Sequence, residues 1–344
     1  MRRLKQKLRY PLTALFLAVY LLYSYVLTSE EVHLPEPQVP LVFYANQLHD
    51  NLEETLESAI DQATESIVIM IYSFSDTRLM QALSKKAVEG VSVRIIHDPV
   101  ATQNIAFKLG PKVTLFPYRH KGLMHHKIIV IDHKTVWFGS ANFTRDAFFV
   151  SPNIVVGCLQ PELARHIEAK AMAILHRTRY AAKPVIGENY AWYMMPDTAP
   201  QALERLISTI ETAQKSIRVA MYTFTSKPLI QALIAAKKRG VEVEVVLDPE
   251  SAKTTSNAAF IHLKQASIKT YLSTAPGLFH YKCALIDERI FVVGSANWTK
   301  AAFGANDDNI SFISNLTKEQ SDKIHELWET IMQHTKQTIT DHQS

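Results

Sequence analysis

The chain contains an internal repeat, in which one pattern occurs twice about 150 residues apart. Two pairs of short segments mark it most clearly, YSFS at 72–75 with YTFT at 222–225, and GSAN at both 139–142 and 294–297. Similarity at a fixed separation is the signature of a duplicated architecture. We therefore divide the body into two related halves, residues 41–185 and 186–344.

Each half alternates helical and strand patterns. In the first half, apolar residues at helical spacing run from Leu52 to Ala63, and an apolar run follows at Ile67–Tyr72. A second helix is predicted near Arg78–Val88 and a second strand at Val91–Ile96. The second half repeats this order. Short apolar strands separated by amphipathic helices predict the α/β class and, with the duplication, an α/β sandwich.

The N-terminal region predicts membrane targeting. Residues 1–28 join a basic tail to an uncharged apolar stretch, which has the form of a membrane anchor or a signal peptide. The positive charges precede the apolar stretch, so we expect the body outside the cytoplasm, anchored if the segment is retained and secreted if it is cleaved. Residues 29–40, with three prolines, are predicted to be a linker.

Charge and cysteine content limit the partners and cofactors. The net charge is +4, but five positive residues lie within the first nine, so the body is nearly neutral. A dedicated nucleic-acid binder usually has a basic face, and the overall charge of the body does not indicate one. The overall charge does not exclude a local basic patch. Cys158 and Cys283 form no paired spacing, so neither a disulfide framework nor a metal site is predicted.

The most specific motif is His-x-Lys-x4-Asp, which occurs once in each half. Its residues are His125, Lys127 and Asp132 in the first half and His280, Lys282 and Asp287 in the second. On a strand, alternation places each histidine beside its lysine, with the aspartate at the opposite parity. A buried lysine is costly without a counter-charge, so this face favours an anionic ligand. The aspartates are predicted to hold neighbouring turns.

The doubled motif, followed by Gly-Ser-x-Asn, resembles the phospholipase D superfamily over nearly all of the chain after residue 40. The resemblance implies two halves related by a pseudo-two-fold axis that share one active site. A single chain would then suffice for a complete site, and neither a metal nor another cofactor is implied.

The resemblance also implies a two-step mechanism through a phosphohistidine. His125 is expected to be the nucleophile and His280 the acid and base, an assignment that the pseudo-symmetry leaves nearly reversible. Four residues are expected to hold the non-bridging phosphate oxygens: Lys127, Lys282, Asn142 and Asn297. We expect Ser140 and Ser295 to brace the site.

One position departs from the pattern of the superfamily. Its members commonly carry an acid about eleven residues after the motif asparagine, where it orients a catalytic histidine. Asp308 occupies that position in the second half, whereas the first half has Pro152 and Asn153. We therefore expect His125 to lack a carboxylate partner, which would lower its basicity.

The motifs define the reaction more closely than the substrate. A phospholipid is favoured because of the predicted anchor and the neutral body. An endonuclease acting on DNA or RNA is the alternative, since the run Arg-His-Lys at 119–121 could meet a polynucleotide backbone. A third possibility is a membrane-tethered phosphate-binding protein with weak catalysis.

Overall fold

The computed structural model describes residues 32–337. The first half runs, in chain order, through β1 (Leu41–Ala45), α1 (Leu52–Asp61), β2 (Ser66–Ile71), α2 (Thr77–Glu89), β3 (Ser92–His97), β4 (Thr114–Pro117), β5 (Lys127–Ile131), β6 (Thr135–Gly139), α3 (Arg145–Phe149), β7 (Ile154–Leu159) and α4 (Pro161–His176), with 3₁₀ turns at Asn46–Leu48 and Ile105–Phe107.

The second half repeats this order with additions. It runs through β8 (Val185–Ile186), β9 (Tyr190–Met194), α5 (Ala199–Glu211), β10 (Ser216–Met221), α6 (Lys227–Lys238), β11 (Glu242–Leu247), α7 (Pro249–Lys253), α8 (Asn257–Gln265), β12 (Lys269–Ser273), β13 (Lys282–Ile286), β14 (Ile290–Gly294), β15 (Asn309–Ile313), α9 (Lys318–Gln333) and β16 (Thr335–Gln337).

Local chemistry sets the limits of the outer helices. The side chain of Asn51 accepts a hydrogen bond from the first turn of α1, and Asp76 does the same for α2. Helix α2 ends at Gly90, which has a φ of 103°, a conformation that glycine adopts without steric cost. The predicted helices and strands at 52–97 are confirmed to within a few residues.

The two sheets have the same core topology. The first has the order β1-β7-β6-β5-β2-β3-β4, and the second contains the equivalent series β9-β15-β14-β13-β10-β11-β12. Strand β8 extends the second sheet at one edge and β16 extends it at the other. This correspondence confirms the predicted duplicated α/β fold.

Alternating strand residues build three hydrophobic cores. In β2, Ile67, Ile69 and Ile71 pack with α1 and α2, while Val68 and Met70 face a central cluster. That central cluster also contains strand residues of the second sheet and residues of α4 and α9. Because both faces of the first sheet are covered, the central strand β2 is apolar on both faces from Ile67 to Ile71.

The region before β1 is described only in part. The predicted membrane segment within residues 1–28 lies outside the described residues. Further along, Leu34 packs against the first-half core, and Glu36 and Val39 form a β-bridge. Within residues 32–337, no helix combines the length and apolar character that crossing a bilayer requires.

Candidate active site

The two motifs lie where the ends of neighbouring strands meet. Strand β2 pairs antiparallel with β5, which brings the residue after β2, Tyr72, to the start of β5, and its amide donates to the carbonyl of His126 at 2.9 Å. The second half repeats the arrangement, with the amide of Tyr222 donating to the carbonyl of Tyr281 at 2.9 Å. This geometry places each motif histidine just before the start of a central strand, beside a tyrosine.

His125 is oriented by a residue of the other half. Its Nδ1 lies 2.7 Å from Oδ1 of Asp308, and its backbone amide donates to the carbonyl of Asp307 at 2.8 Å. A ring that donates from Nδ1 keeps a lone pair on Nε2, as a nucleophile requires. The expectation that His125 lacks a carboxylate partner is therefore wrong, because the partner comes from the second half.

His280 is the histidine that faces an amide. Its Nδ1 lies 3.0 Å from Oδ1 of Asn153. The Nδ2 of Asn153 donates to the carbonyls of Ala147 and Ser151, at 3.1 and 2.9 Å, which fixes the oxygen toward the ring. Nδ1 of His280 is therefore the donor, and Nε2 is again left free.

A serine braces the orienting residue in each half. Ser140 Oγ donates to Oδ1 of Asn153 at 2.8 Å, and Ser295 Oγ donates to Oδ1 of Asp308 at 2.7 Å. Each Oγ also accepts a backbone amide at 3.0 Å, from Ile154 and Asn309 respectively. Both serines are fully buried, so they position the orienting residues.

The motif lysines are buried and held in matching positions. Lys127 Nζ donates to the carbonyl of His125, and Lys282 Nζ donates to the carbonyl of His280, each at 2.7 Å. Each ammonium also lies over the ring of a tyrosine, 5.1 Å from Tyr72 and 5.0 Å from Tyr222. Their remaining protons can bind a ligand anion.

Burial disfavours the protonated forms of Lys127 and His125 in the absence of a bound anion. Burial lowers the pKa of Lys127 to about 7. Burial and then the charge of Lys127 lower the pKa of His125 to about 4, although Asp308 opposes this. Burial would raise the pKa of Asp308, but His125, Ser295 and Lys127 outweigh it and the pKa is lowered. An anionic ligand would supply the missing counter-charge.

The residues of the second half interact electrostatically with those of the first. Burial lowers the pKa of His280 far below its usual value, and the charges of Lys282, Lys127 and His125 lower it further. Burial lowers the pKa of Lys282 strongly, and Lys127 adds to the effect. Since each histidine is affected by the lysine of the other half, the two motifs form one cluster.

The motif asparagines lie at the edge of this cluster and are half-buried. The side-chain oxygen of Asn142 is buried and has no hydrogen-bond partner among the described residues. Asn297 Oδ1 accepts from the amide of Thr223 at 3.3 Å. Neither Nδ2 group donates a hydrogen bond within residues 32–337, so both can donate to a ligand.

The two motif aspartates lie at the far end of their strands. The carboxylate of Asp132 accepts from the amides of Thr64, Glu65 and Ser66 at 2.8–2.9 Å. Asp287 accepts in the same way from the amides at 214–216, at 2.7–3.0 Å. These carboxylates connect the β5–β6 and β13–β14 turns to the segments before β2 and β10.

Sequence reasoning assigned no role to Tyr72 and Tyr222. Their rings lie 5.1 Å from the ring of His125 and 5.2 Å from that of His280, respectively. Burial raises the pKa of both phenols. The available signal was their place in the repeat, directly after β2 and β10. Within residues 32–337, no three His, Cys, Asp or Glu side chains are grouped as metal ligands.

Comparisons with known proteins identify the family. The model of the family described as cardiolipin synthase, PLD-like domain, matches residues 56–175 and again 206–343. The chain is 29% identical to the mitochondrial cardiolipin hydrolase of Xenopus laevis over 130 residues, covering 37% of this chain and 61% of the relative. It is 25% identical to the cardiolipin synthase of Clostridium perfringens strain 13 over 327 residues, covering 80% of this chain and 67% of the relative.

A solved structure supports the fold over most of the chain. The phosphatidylserine synthase of Haemophilus influenzae superposes with a TM-score of 0.64 at 13% identity, covering 87% of each chain. The first curated relatives are matched over less of their length, 61% for the Xenopus laevis protein and 56% for the phospholipase D of Rickettsia typhi. The two family matches and the shared cluster of histidines and lysines together show that the chain belongs to the phospholipase D superfamily.

Proposed function

We propose that this chain is a phosphodiesterase that cleaves a phospholipid through a covalent intermediate on His125. The observation that carries the proposal is the pair of buried histidines, each with Nδ1 engaged and Nε2 free, within one cluster that includes two lysines. Two imidazoles can divide the work of a nucleophile and of a general acid.

The different partners of the two rings support their assignment. The carboxylate of Asp308 stabilises positive charge on His125 and makes Nε2 the stronger nucleophile. His280 faces the neutral amide of Asn153, so its imidazolium is the stronger acid and can protonate a leaving oxygen. This supports His125 as the attacking group and His280 as the acid.

The proposed reaction has two displacements at phosphorus. The negative charge of the bound phosphate offsets the lysine charges that lower the pKa of His280, so that Nε2 of His280 binds a proton in the complex. Nε2 of His125 bonds to phosphorus while the bond to the leaving alcohol oxygen breaks, and that oxygen takes the Nε2 proton of His280. Water then gives a proton to His280, its oxygen bonds to phosphorus, and the N–P bond breaks. Lys127 and Lys282 would hold the non-bridging oxygens throughout. If an alcohol replaced water, the same site would transfer the phosphatidyl group.

The surface beside the site supports a lipid substrate. Leu123 and Leu278, each two residues before a catalytic histidine, are 43% and 45% exposed, whereas the following Met124 and Phe279 are buried. Exposed leucines at equivalent positions can contact acyl chains or the surface of a bilayer. The relatives named as cardiolipin hydrolase and cardiolipin synthase point to the same substrate class. The membrane anchor expected within residues 1–28 would hold the site near lipid.

The test uses the full chain with phospholipid vesicles and, in parallel, with single-stranded DNA, both in EDTA. We expect release of the lipid head group that is lost in His125→Ala and in His280→Ala. His133→Ala is the control, because this exposed histidine pairs with Glu168 beyond the far end of β5. Rapid quenching with ³²P-labelled lipid should trap an adduct on His125.

The alternative functions predict different results. Histidine-dependent cleavage of DNA without lipid cleavage would make the protein a nuclease. Binding of both substrates without turnover would make it a phosphate-binding protein. Turnover that survives in both alanine variants would contradict the assignment of the site.

A further inference from the structure

Several large apolar side chains are exposed at the catalytic end of the sheets, the end at which His125 and His280 precede β5 and β13. They lie in connections between strands that reach this end. We call the set the apolar rim, and its residues are Val100, Phe107, Leu123, Phe149, Val150 and Leu278. Large apolar groups that are exposed together on one face mark a site of interaction.

Hydrogen bonds connect the apolar rim to the active site. Val100 lies in the loop after β3, and the hydroxyl of Thr102 in the same loop donates to the carbonyl of Tyr72 at 2.8 Å. The backbone amide of Leu278, in the second half, donates to Oγ of Ser151 in the first half at 3.0 Å. The apolar rim therefore lies beside the catalytic site and crosses from one half to the other.

Phe107 is the most exposed residue of the apolar rim, at 90%. It lies in the 3₁₀ turn between β3 and β4 and lines a surface cavity together with Pro99 and Pro117. Pro99 lies two residues beyond β3 and Pro117 is the last residue of β4, so Phe107 is close to the catalytic end. Transfer of this phenyl ring from water into an apolar environment would be favourable.

Cations without acids accompany the apolar rim in the first half. Residues 99–131 contain five basic residues and no Asp or Glu, although the body as a whole is nearly neutral. Arg119 and Lys121, in the loop before Leu123, are exposed, and neither forms an ion pair among residues 32–337. Apolar groups beside unpaired cations are complementary to an anionic lipid surface.

The second half does not repeat this combination. Glu250 occupies the position equivalent to Val100, and it forms an ion pair with Lys253 at 2.7 Å. The loop at 273–276 reads Ser-Thr-Ala-Pro in the place of Tyr-Arg-His-Lys at 118–121. The surface that combines apolar groups with cations therefore belongs mainly to the first half.

The chemistry of the apolar rim favours lipid over nucleic acid. Four of its six residues are valine or leucine. Aliphatic side chains insert among acyl chains, whereas single-stranded nucleic acid is held by aromatic rings that stack on its bases. An anionic bilayer therefore matches both the apolar groups and the cations.

We propose that the apolar rim, together with Arg119 and Lys121, is the surface by which the first half docks on an anionic lipid bilayer, with Phe107 buried among the acyl chains. The proposal rests on the lipid phosphodiesterase function proposed above. It adds the orientation of the body, in which the catalytic end of the first half faces the membrane. A lipid can then reach His125 and His280 while its acyl chains stay in the bilayer.

A fluorescent label at position 107 tests the docking directly. Phe107→Cys in the full chain is labelled with the polarity-sensitive fluorophore NBD. The label attaches to the introduced thiol, because Cys158 and Cys283 are buried and burial raises the pKa of both to about 12. His125→Ala is added to stop turnover and keep the lipid composition constant. In nanodiscs of phosphatidylcholine and phosphatidylglycerol we expect a blue-shifted emission that a nitroxide on the acyl chains quenches.

Matched variants control for position and for charge. Val88→Cys carries the label on another exposed residue, near the end of α2 and opposite the catalytic end, and should show no quenching. Adding Arg119→Gln/Lys121→Gln to the chain labelled at position 107 should remove most of the quenching that phosphatidylglycerol produces. Lys134→Gln/Arg165→Gln removes two exposed cations beyond the opposite end of β5 and should leave the quenching unchanged.

The outcomes separate the docking surface from the proposed function. Quenching at position 107 without lipid turnover in the active chain would support the docking surface and overturn the lipid function. No quenching at position 107, or equal quenching at positions 88 and 107, would overturn the docking surface. A blue shift produced by single-stranded DNA in the place of lipid would assign the apolar rim to nucleic acid. A blue shift produced by higher protein concentration alone would assign it to a second copy of the chain, and either result would overturn the proposal.

Discussion

His125 Nδ1 in the first half lies 2.7 Å from Asp308 Oδ1 in the second, while His280 faces Asn153 across the equivalent contact. In this pseudo-two-fold arrangement, each half therefore supplies the residue that orients the histidine of the other half. Of these two orienting residues, Asp308 carries a charge and Asn153 does not. The two histidines therefore have similar hydrogen-bond geometry and different electrostatic surroundings.

Exchanging these two residues tests the assignment of roles. In Asp308→Asn, His125 keeps a hydrogen-bond acceptor but loses the negative charge, and we expect kcat to fall at least about 100-fold. Asn153→Asp should instead raise the pKa of His280, the proposed acid, and so move the alkaline limb of the pH profile to higher pH. Equal kcat values for Asp308→Asn and the wild type would contradict an essential carboxylate.

Replacing the motif aspartates should affect stability first. In Asp132→Ala, the amides of Thr64, Glu65 and Ser66 lose their acceptor, and we expect the free energy of unfolding to fall by about 1–3 kcal/mol. Asp132→Asn keeps one acceptor oxygen and should lose less. Thermal unfolding and turnover are measured together. A stable variant without turnover would assign the aspartate a chemical role that its position does not suggest.

Anion binding should be accompanied by proton uptake. Burial lowers the pKa of Lys127 to about 7, so near neutral pH an appreciable fraction of this lysine is neutral before an anion binds. A bound anion favours the ammonium form and raises this pKa, which draws a proton from the buffer. Sulfate titrations in two buffers of different ionisation enthalpy measure the uptake. It should be smaller in Lys127→Met, in which Lys282 and the two histidines can still take up protons, and a net release of protons would contradict the lowered pKa.

A side chain at position 122 should weaken the contact between the halves. A Cβ on Gly122 would lie 1.9 Å from the carbonyl oxygen of Ala305, a rigid backbone atom of the second half. We expect Gly122→Ala to cost about 1–3 kcal/mol of stability and to reduce turnover. Gly110→Ala is the control, because its Cβ would meet the side chain of Ser84 at an ordinary 3.6 Å. Equal melting temperatures for the two variants would refute the close approach.

The exposed leucines should matter for lipid in bilayers and not for a soluble ester. For Leu123→Ser/Leu278→Ser we expect KM on vesicles to rise on the order of tenfold, since two apolar groups no longer leave water. Hydrolysis of a short-chain, water-soluble phosphodiester should be unchanged. Ile186→Ser, at an exposed residue of the edge strand β8, is the control. A similar loss on both substrates would place the leucines in a structural role.

The sequence by itself determined the duplication, the α/β class and the two motifs. These features are local or periodic: Ile67–Tyr72 is apolar because both faces of β2 are covered, and Gly90 ends α2 because its backbone has a positive φ. Pairs two residues apart, such as His125 and Lys127, share a strand face whatever the rest of the fold does. The order of residues along the chain is therefore enough to recognise the superfamily.

Only the tertiary structure decided which residues of different halves meet. Asp308 lies 183 positions from His125, and no spacing rule links them, so sequence reasoning paired each histidine within its own half. The cavity lined by Phe116, Arg177 and Tyr180 arises in the same way, because β4 and the end of α4 are distant in the chain and adjacent in space. Periodicity acts over a few residues, whereas the packing of the two halves about their common axis brings together groups that the chain separates.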